Sequence, residues 1–213
     1  MRRMSFFRGV TLAAAGCLAL LLAAPVLASE ASYVGTETCL GCHDEMEAGF
    51  TASLHGKAWA AEGVYEESGC EACHGPGSAH VDDPSSKTIV SYGKDSMQSA
   101  DQQSETCLGC HSASQEIALW DMGMHAKRDV SCSSCHSIHK GYSPLAAMPE
   151  TCYSCHLNVK IEANKASRHP IKEGEVGCND CHNPHGTLSD AQIRDESTNQ
   201  LCYQCHADKR GPF

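Results

Sequence analysis

The chain has 213 residues, with 16 Lys and Arg against 26 Asp and Glu, for a formal charge of −10. That acidity argues against nucleic acid or an anionic membrane surface as partners. Four Phe, two Trp and few long apolar runs are too little for an ordinary core, so something other than side chains must fill the interior.

In chain order, Arg2, Arg3 and Arg8 precede an apolar stretch from Val10 to Leu27, and Val26-Leu27-Ala28 offers a small-residue cleavage pattern. Residues 1–28 therefore read as a secretory signal peptide, with the mature protein starting at Ser29 and carried to the periplasm. Cys17 falls in the apolar part and is discarded with it. Removal takes away three Arg and no acid, leaving 13 basic and 26 acidic residues and a charge of −13.

The mature chain keeps 14 of the 15 cysteines, a density that in an exported protein first suggests disulfides. Their spacing says otherwise. All fall in Cys-x-x-Cys-His units: Cys39/Cys42/His43, Cys70/Cys73/His74, Cys107/Cys110/His111, Cys132/Cys135/His136, Cys152/Cys155/His156, Cys178/Cys181/His182 and Cys202/Cys205/His206. Two thiols at this spacing add to the vinyl groups on one edge of haem, and the next residue puts its imidazole on the iron. Zinc sites do not require a His after every cysteine pair, and a redox dithiol would occur once. The expectation is seven covalently bound c-type haems, with His43, His74, His111, His136, His156, His182 and His206 as proximal ligands.

Six of the 13 histidines remain: His55, His80, His125, His139, His169 and His185. Their positions repeat, so they are expected to be distal iron ligands in di-haem modules at 29–100, 101–145 and 146–195, followed by a half module at 196–213 with the seventh haem. His139 and His185 each lie three residues after a proximal His. That is a reach of about 10 Å, too short to pass round the same haem. Each must serve a neighbouring haem, and the pairing expected is within a module, His139 with His111 and His125 with His136. The His206 haem is then the one without an internal histidine. Its sixth ligand would come from a longer native chain, from a partner or from a small molecule, and Met46, Met97, Met122, Met124 and Met148 are the methionine candidates. Regular proximal His in all seven motifs favours an electron-transfer protein over an enzyme, with a reductase at the His206 haem, beside Lys209 and Arg210, as the alternative.

Helices are expected over Asp44 to Lys57, Ser114 to Lys127, Leu157 to Ser167 and Asn199 to Ala207. Thr88 to Tyr92 is the one weak strand signal, and residues 81–104 read as a polar linker. Trp59, Trp120, Tyr153 and Tyr203 could stack on haem, with plain packing as the default. The fold class expected is a multihaem cytochrome c of mainly short α-helices and irregular loops wrapped around a chain of haems, with little or no β, and elongated.

Several stretches carry a more specific likeness. Thr38-Cys39-Leu40-Gly41-Cys42-His43-Asp44-Glu45, Gly69-Cys70-Glu71-Ala72-Cys73-His74-Gly75-Pro76, Arg168-His169-Pro170, Cys178 to Gly186 and Cys202 to Pro212 resemble, in order, the periplasmic decahaem cytochromes of porin–cytochrome conduits. These are the Mtr-type metal-reduction and Pio-type iron-oxidation proteins and the related dimethyl-sulfoxide-respiration cytochromes. The resemblance covers residues 36–212. It implies low-spin haems with two His each, inside an outer-membrane β-barrel. Electrons would arrive from periplasmic or inner-membrane cytochromes and leave to an extracellular cytochrome or acceptor, or flow in reverse. Members of that family carry ten haems, whereas these 213 residues hold seven motifs. A soluble periplasmic shuttle is the nearest competing role.

Overall fold

The computed structural model describes residues 31–140 and 149–211. The expected signal peptide, with Cys17, and Met148 lie outside them. Among the described residues the only β pairing is one antiparallel bridge, His182 with Ile193. The rest is short helices and loops, as the scarcity of period-two patterning leads one to expect. No described helix is long and apolar enough to cross a membrane.

The longest described helix, Ala100–His111, has 12 residues. It starts on a capping box: the Ser99 hydroxyl accepts from the Gln102 backbone N–H, and the Gln102 side chain accepts in return from the Ser99 N–H. It ends in the third motif and delivers His111. Thr36–His43 and Thr198–Cys205 carry the first and last motifs in the same way, the latter capped by Ser197. The other expected helices are broken. Asp44 to Lys57 is a 3₁₀ turn, a helix over Glu47–Thr51, and a new start capped by Ser53 at Leu54–Glu62. Ser114 to Lys127 is three separate 3₁₀ turns. Leu157 to Ser167 shortens to Leu157–Glu162.

Helices this short are marginal without something to pack on. The polypeptide supplies little. Among the described residues the buried apolar ones are Phe50, Trp120, Tyr153 and Ala163, while Leu54, Leu157, Ile161 and Leu188 are 60–80 % exposed. Apolar side chains with no polypeptide cover suit a fold packed on a cofactor. Several of the buried positions are polar instead. The Glu71 carboxylate, 2 % exposed, accepts from the backbone N–H groups of Val34 (2.9 and 3.1 Å), Gly35 (2.9 Å) and Gly77 (2.7 Å), tying the chain before the first motif to the second. Gln103 bonds Gly93 and Gln98 on one side and Ser133 on the other.

The 81–104 stretch is therefore not a bare linker, and Thr88 to Tyr92 is not a strand. Its backbone is used locally: Val90 donates to the His74 carbonyl at 3.1 Å, and the Tyr92 hydroxyl donates to the Cys73 carbonyl at 2.5 Å.

Candidate haem sites

None of the 14 described cysteines is in a disulfide, and all are at least partly accessible. As thiols they interact in a fixed order. Cys39 is pushed up to about 11 by burial and by the adjacent Cys70, and Cys178 to about 11 by burial and Cys152. Cys107 and Cys132 share a hydrogen bond that raises the first and lowers the second. Burial, then the Cys110 thiol, raises Cys73; burial, then Cys155, raises Cys135; and burial, then the Asp180 carboxylate and the Cys202 and Cys205 thiols, raises Cys181. Each motif thus adjoins the next one along the chain: first cysteines meet within a module, and second cysteines meet between modules or, for the last motif, either cysteine.

The histidines are brought together in pairs. Ring centroids are 6.3 Å apart for His43 and His80, 5.8 Å for His55 and His111, and 6.2 Å for His74 and His139. The others are His125 with His156 at 6.0 Å, His136 with His185 at 6.0 Å, and His169 with His206 at 6.3 Å. The His55 and His111 Nε2 atoms face each other at 3.5 Å. An imidazole nitrogen sits about 2 Å from a first-row metal, with the ring centre roughly 1.2 Å behind it, so two imidazoles on opposite sides of one iron have centres about 6.4 Å apart. The spacing of all six pairs fits an iron between them. Each pair joins one motif histidine to one of the six others.

The second ring nitrogens are occupied where they would orient such a ligand. Nδ1–H donates to a backbone carbonyl from His74 (Val90, 2.7 Å), His80 (Ser85, 3.0 Å), His125 (Pro184, 2.8 Å) and His182 (Ala191, 2.9 Å). That fixes the tautomer with Nε2 free to coordinate. Burial lowers the proton affinity of His55, His74, His136, His139 and His185, favouring the neutral ligand form.

The pairing departs from the within-module expectation. His139 faces His74, not His111; His125 faces His156, not His136. His206 is not the histidine left over, because it faces His169. The one left over is His182. The reach argument holds for His139 and His185, which face haem motifs other than their own. What spacing could not tell was direction. The fold settles it by close backbone approach. A Cβ on Gly49 would lie 1.9 Å from the His139 carbonyl oxygen, and one on Gly186 would lie 2.3 Å from that of Leu119. The first approach seats the His139 loop on the helix before His55, and the second seats the His185 loop on the turns before His125.

Lys209 pairs with Asp208 at 2.7 Å, and the Arg210 guanidinium lies 5.9 Å over the Tyr203 ring, so neither is held ready for an anion at His206. Trp120 packs against His185 and Trp59 against Phe50 and His55; Tyr153 lies under Lys160. Glu71 and Gln103 went unnoticed in the sequence, although Glu71 sits inside a motif.

A chain of accessible thiol pairs, each followed by histidine and lined up in sequence order, defines a protein with covalently bound c-type haem. Residues 169–211 match the doubled CXXCH motif family, and residues 70–151 match the NrfB-like cytochrome c-type proteins. The multiheme cytochrome MtrA of Shewanella baltica is 37 % identical over 183 residues, covering 84 % of this chain and 54 % of that protein. The chain belongs to the multihaem c-type cytochromes of the Mtr type. It spans about half the length of the curated relative it matches.

Proposed function

We propose that the chain carries seven haems, six of them held between two histidines, and that it relays electrons from one end of the row to the other. Bound haem iron supplies the one-electron couple. The polypeptide sets the order and fills both axial positions at six irons. The observation that carries the reading is the set of six imidazole pairs at iron-spanning separation. An iron with two histidines has no position for a substrate, so it passes electrons and does nothing else.

On this reading the thioether ligands are the 14 motif cysteines. The proximal ligands are His43, His74, His111, His136, His156, His182 and His206. The distal ligands are His80, His139, His55, His185, His125 and His169, on the first, second, third, fourth, fifth and seventh haems respectively. The signal-peptide pattern at residues 1–28 and the resemblance of residues 36–212 to the cytochromes of porin–cytochrome conduits favour export to the periplasm and work beside an outer-membrane β-barrel, with cytochromes on either side as donor and acceptor.

Fractionation of native cells followed by haem staining tests the setting. Co-purification with a β-barrel from detergent-extracted outer membrane supports the conduit; a monomer confined to the soluble periplasm leaves a shuttle.

A further inference from the structure

Twelve of the thirteen histidines are used up in six pairs, and the one that remains is His182. Its ring is prepared like the others. Nδ1–H is committed to the Ala191 carbonyl at 2.9 Å, the backbone on either side is fixed by the bridge to Ile193, and the Asn183 N–H donates to the Gln192 carbonyl at 2.9 Å. Nε2 is left to coordinate, with no second imidazole among the described residues opposite it.

The pairing has a direction that explains this. The middle histidine of each module reaches forward to the first haem of the next: His55 to His111, His125 to His156, His169 to His206. The last histidine reaches back to the second haem of the module before: His139 to His74, His185 to His136. His80 has no module before it and takes His43. A second haem is therefore always closed by a histidine from the following module. For His182 these 213 residues hold no such histidine.

Resting on the haem assignment above, we infer that the iron held by His182, and not that held by His206, is the open coordination site of these 213 residues, and that it binds a neutral nitrogen donor of the imidazole class from outside them. The bond formed is a single dative one from the donor nitrogen to iron, with no change of oxidation state.

The test is an imidazole titration of the oxidised, haem-loaded 213-residue protein, followed by electron paramagnetic resonance and magnetic circular dichroism. The expected result is one high-spin iron in seven, converted to low spin by one imidazole per chain. Removing the sixth haem with Cys178→Ser and Cys181→Ser abolishes that uptake, whereas an open His206 iron would keep it. Should this variant fail to mature, an imidazole-soaked crystal of the unaltered protein decides, by whether the ring sits over the His182 iron. Seven low-spin irons before any imidazole is added, or the ring over another iron, overturns the inference. A haem count below seven by pyridine haemochrome assay overturns the haem assignment instead, so the two failures are distinct. To distinguish the source, a synthetic histidine-containing peptide and a soluble partner cytochrome replace imidazole. Quenching of the high-spin signal by the peptide alone marks any accessible histidine as sufficient, and quenching by the cytochrome marks a ligand given by a partner chain. If free imidazole binds and neither of these does, the donor is a small molecule.

Discussion

Gly49 shows how much a missing side chain decides. With the His139 carbonyl 1.9 Å from where a Cβ would stand, even alanine must push the His139 loop away from the Glu47–Thr51 helix. The loop carries the imidazole that faces His74. Gly49→Ala is expected to leave the second haem with one histidine. It would show as an extra high-spin iron by electron paramagnetic resonance and a lowered melting temperature; an unchanged spectrum would mean that the loop is not what holds His139 in place. Glu71 is the opposite case, a charged side chain that the fold cannot spare. Its carboxylate satisfies three backbone donors at 2 % exposure. Glu71→Ala leaves those donors buried and unpaired, at a cost on the order of 3 kcal/mol. Thermal unfolding of the haem-loaded protein measures it, and a change within error would show that water takes the carboxylate's place.

At the scale of elements, the six histidine pairs stitch modules to one another more than they close modules on themselves. Only His80 with His43 lies within a module; the other five pairs cross from one to the next. This predicts a specific non-additivity. His139→Ala should add one high-spin iron to the intact protein. It should add none to a variant lacking the second haem (Cys70→Ser with Cys73→Ser), because the iron it serves is gone. An equal effect in both backgrounds would place His139 elsewhere. The helix that positions His111 rests on its cap, and Ser99→Ala should cost about 1 kcal/mol by thermal melting.

Much of this level could be read from sequence. The motif contains its own chemistry, whereas the Ser99-x-x-Gln102 capping box lay inside the stretch read as a polar linker, and the helix it starts was not expected. The expected helices over Asp44 to Lys57 and Ser114 to Lys127 failed for one reason. A histidine carried across to another motif must be set at its own angle, so the chain breaks before it: Asp44 to Lys57 restarts at Ser53 just ahead of His55, and Ser114 to Lys127 is cut into 3₁₀ turns ahead of His125. Which haem each histidine reaches was illegible for the same reason. Spacing limits distance along the chain, whereas direction depends on the close approaches at Gly49 and Gly186. These involve partners 90 and 67 residues away, His139 and Leu119.

For the whole molecule, neighbouring cysteine pairs keep the motifs in sequence order from Cys39 to Cys205, which on the proposed haem assignment makes a row with no branch. Acidic residues are spread evenly along it, but basic residues are not. The stretch from Tyr33 to His111 has three Lys and no Arg, whereas Ser112 to Arg210 has ten Lys and Arg. A basic redox partner is expected to dock at the end that carries His43, with an association rate that falls steeply as salt rises. Stopped-flow mixing at several ionic strengths measures it, and a flat salt dependence would contradict it.

The central claim, that these haems act as one connected relay, is tested most directly by protein-film voltammetry on the haem-loaded chain. Electrons can reach the haems far from the electrode only through those nearer to it. A connected row returns a charge of seven electrons per chain that does not change as the scan rate is raised. A charge that falls with scan rate to that of one or two haems would mean that the row is broken, and the account of this protein as an electron relay would be wrong.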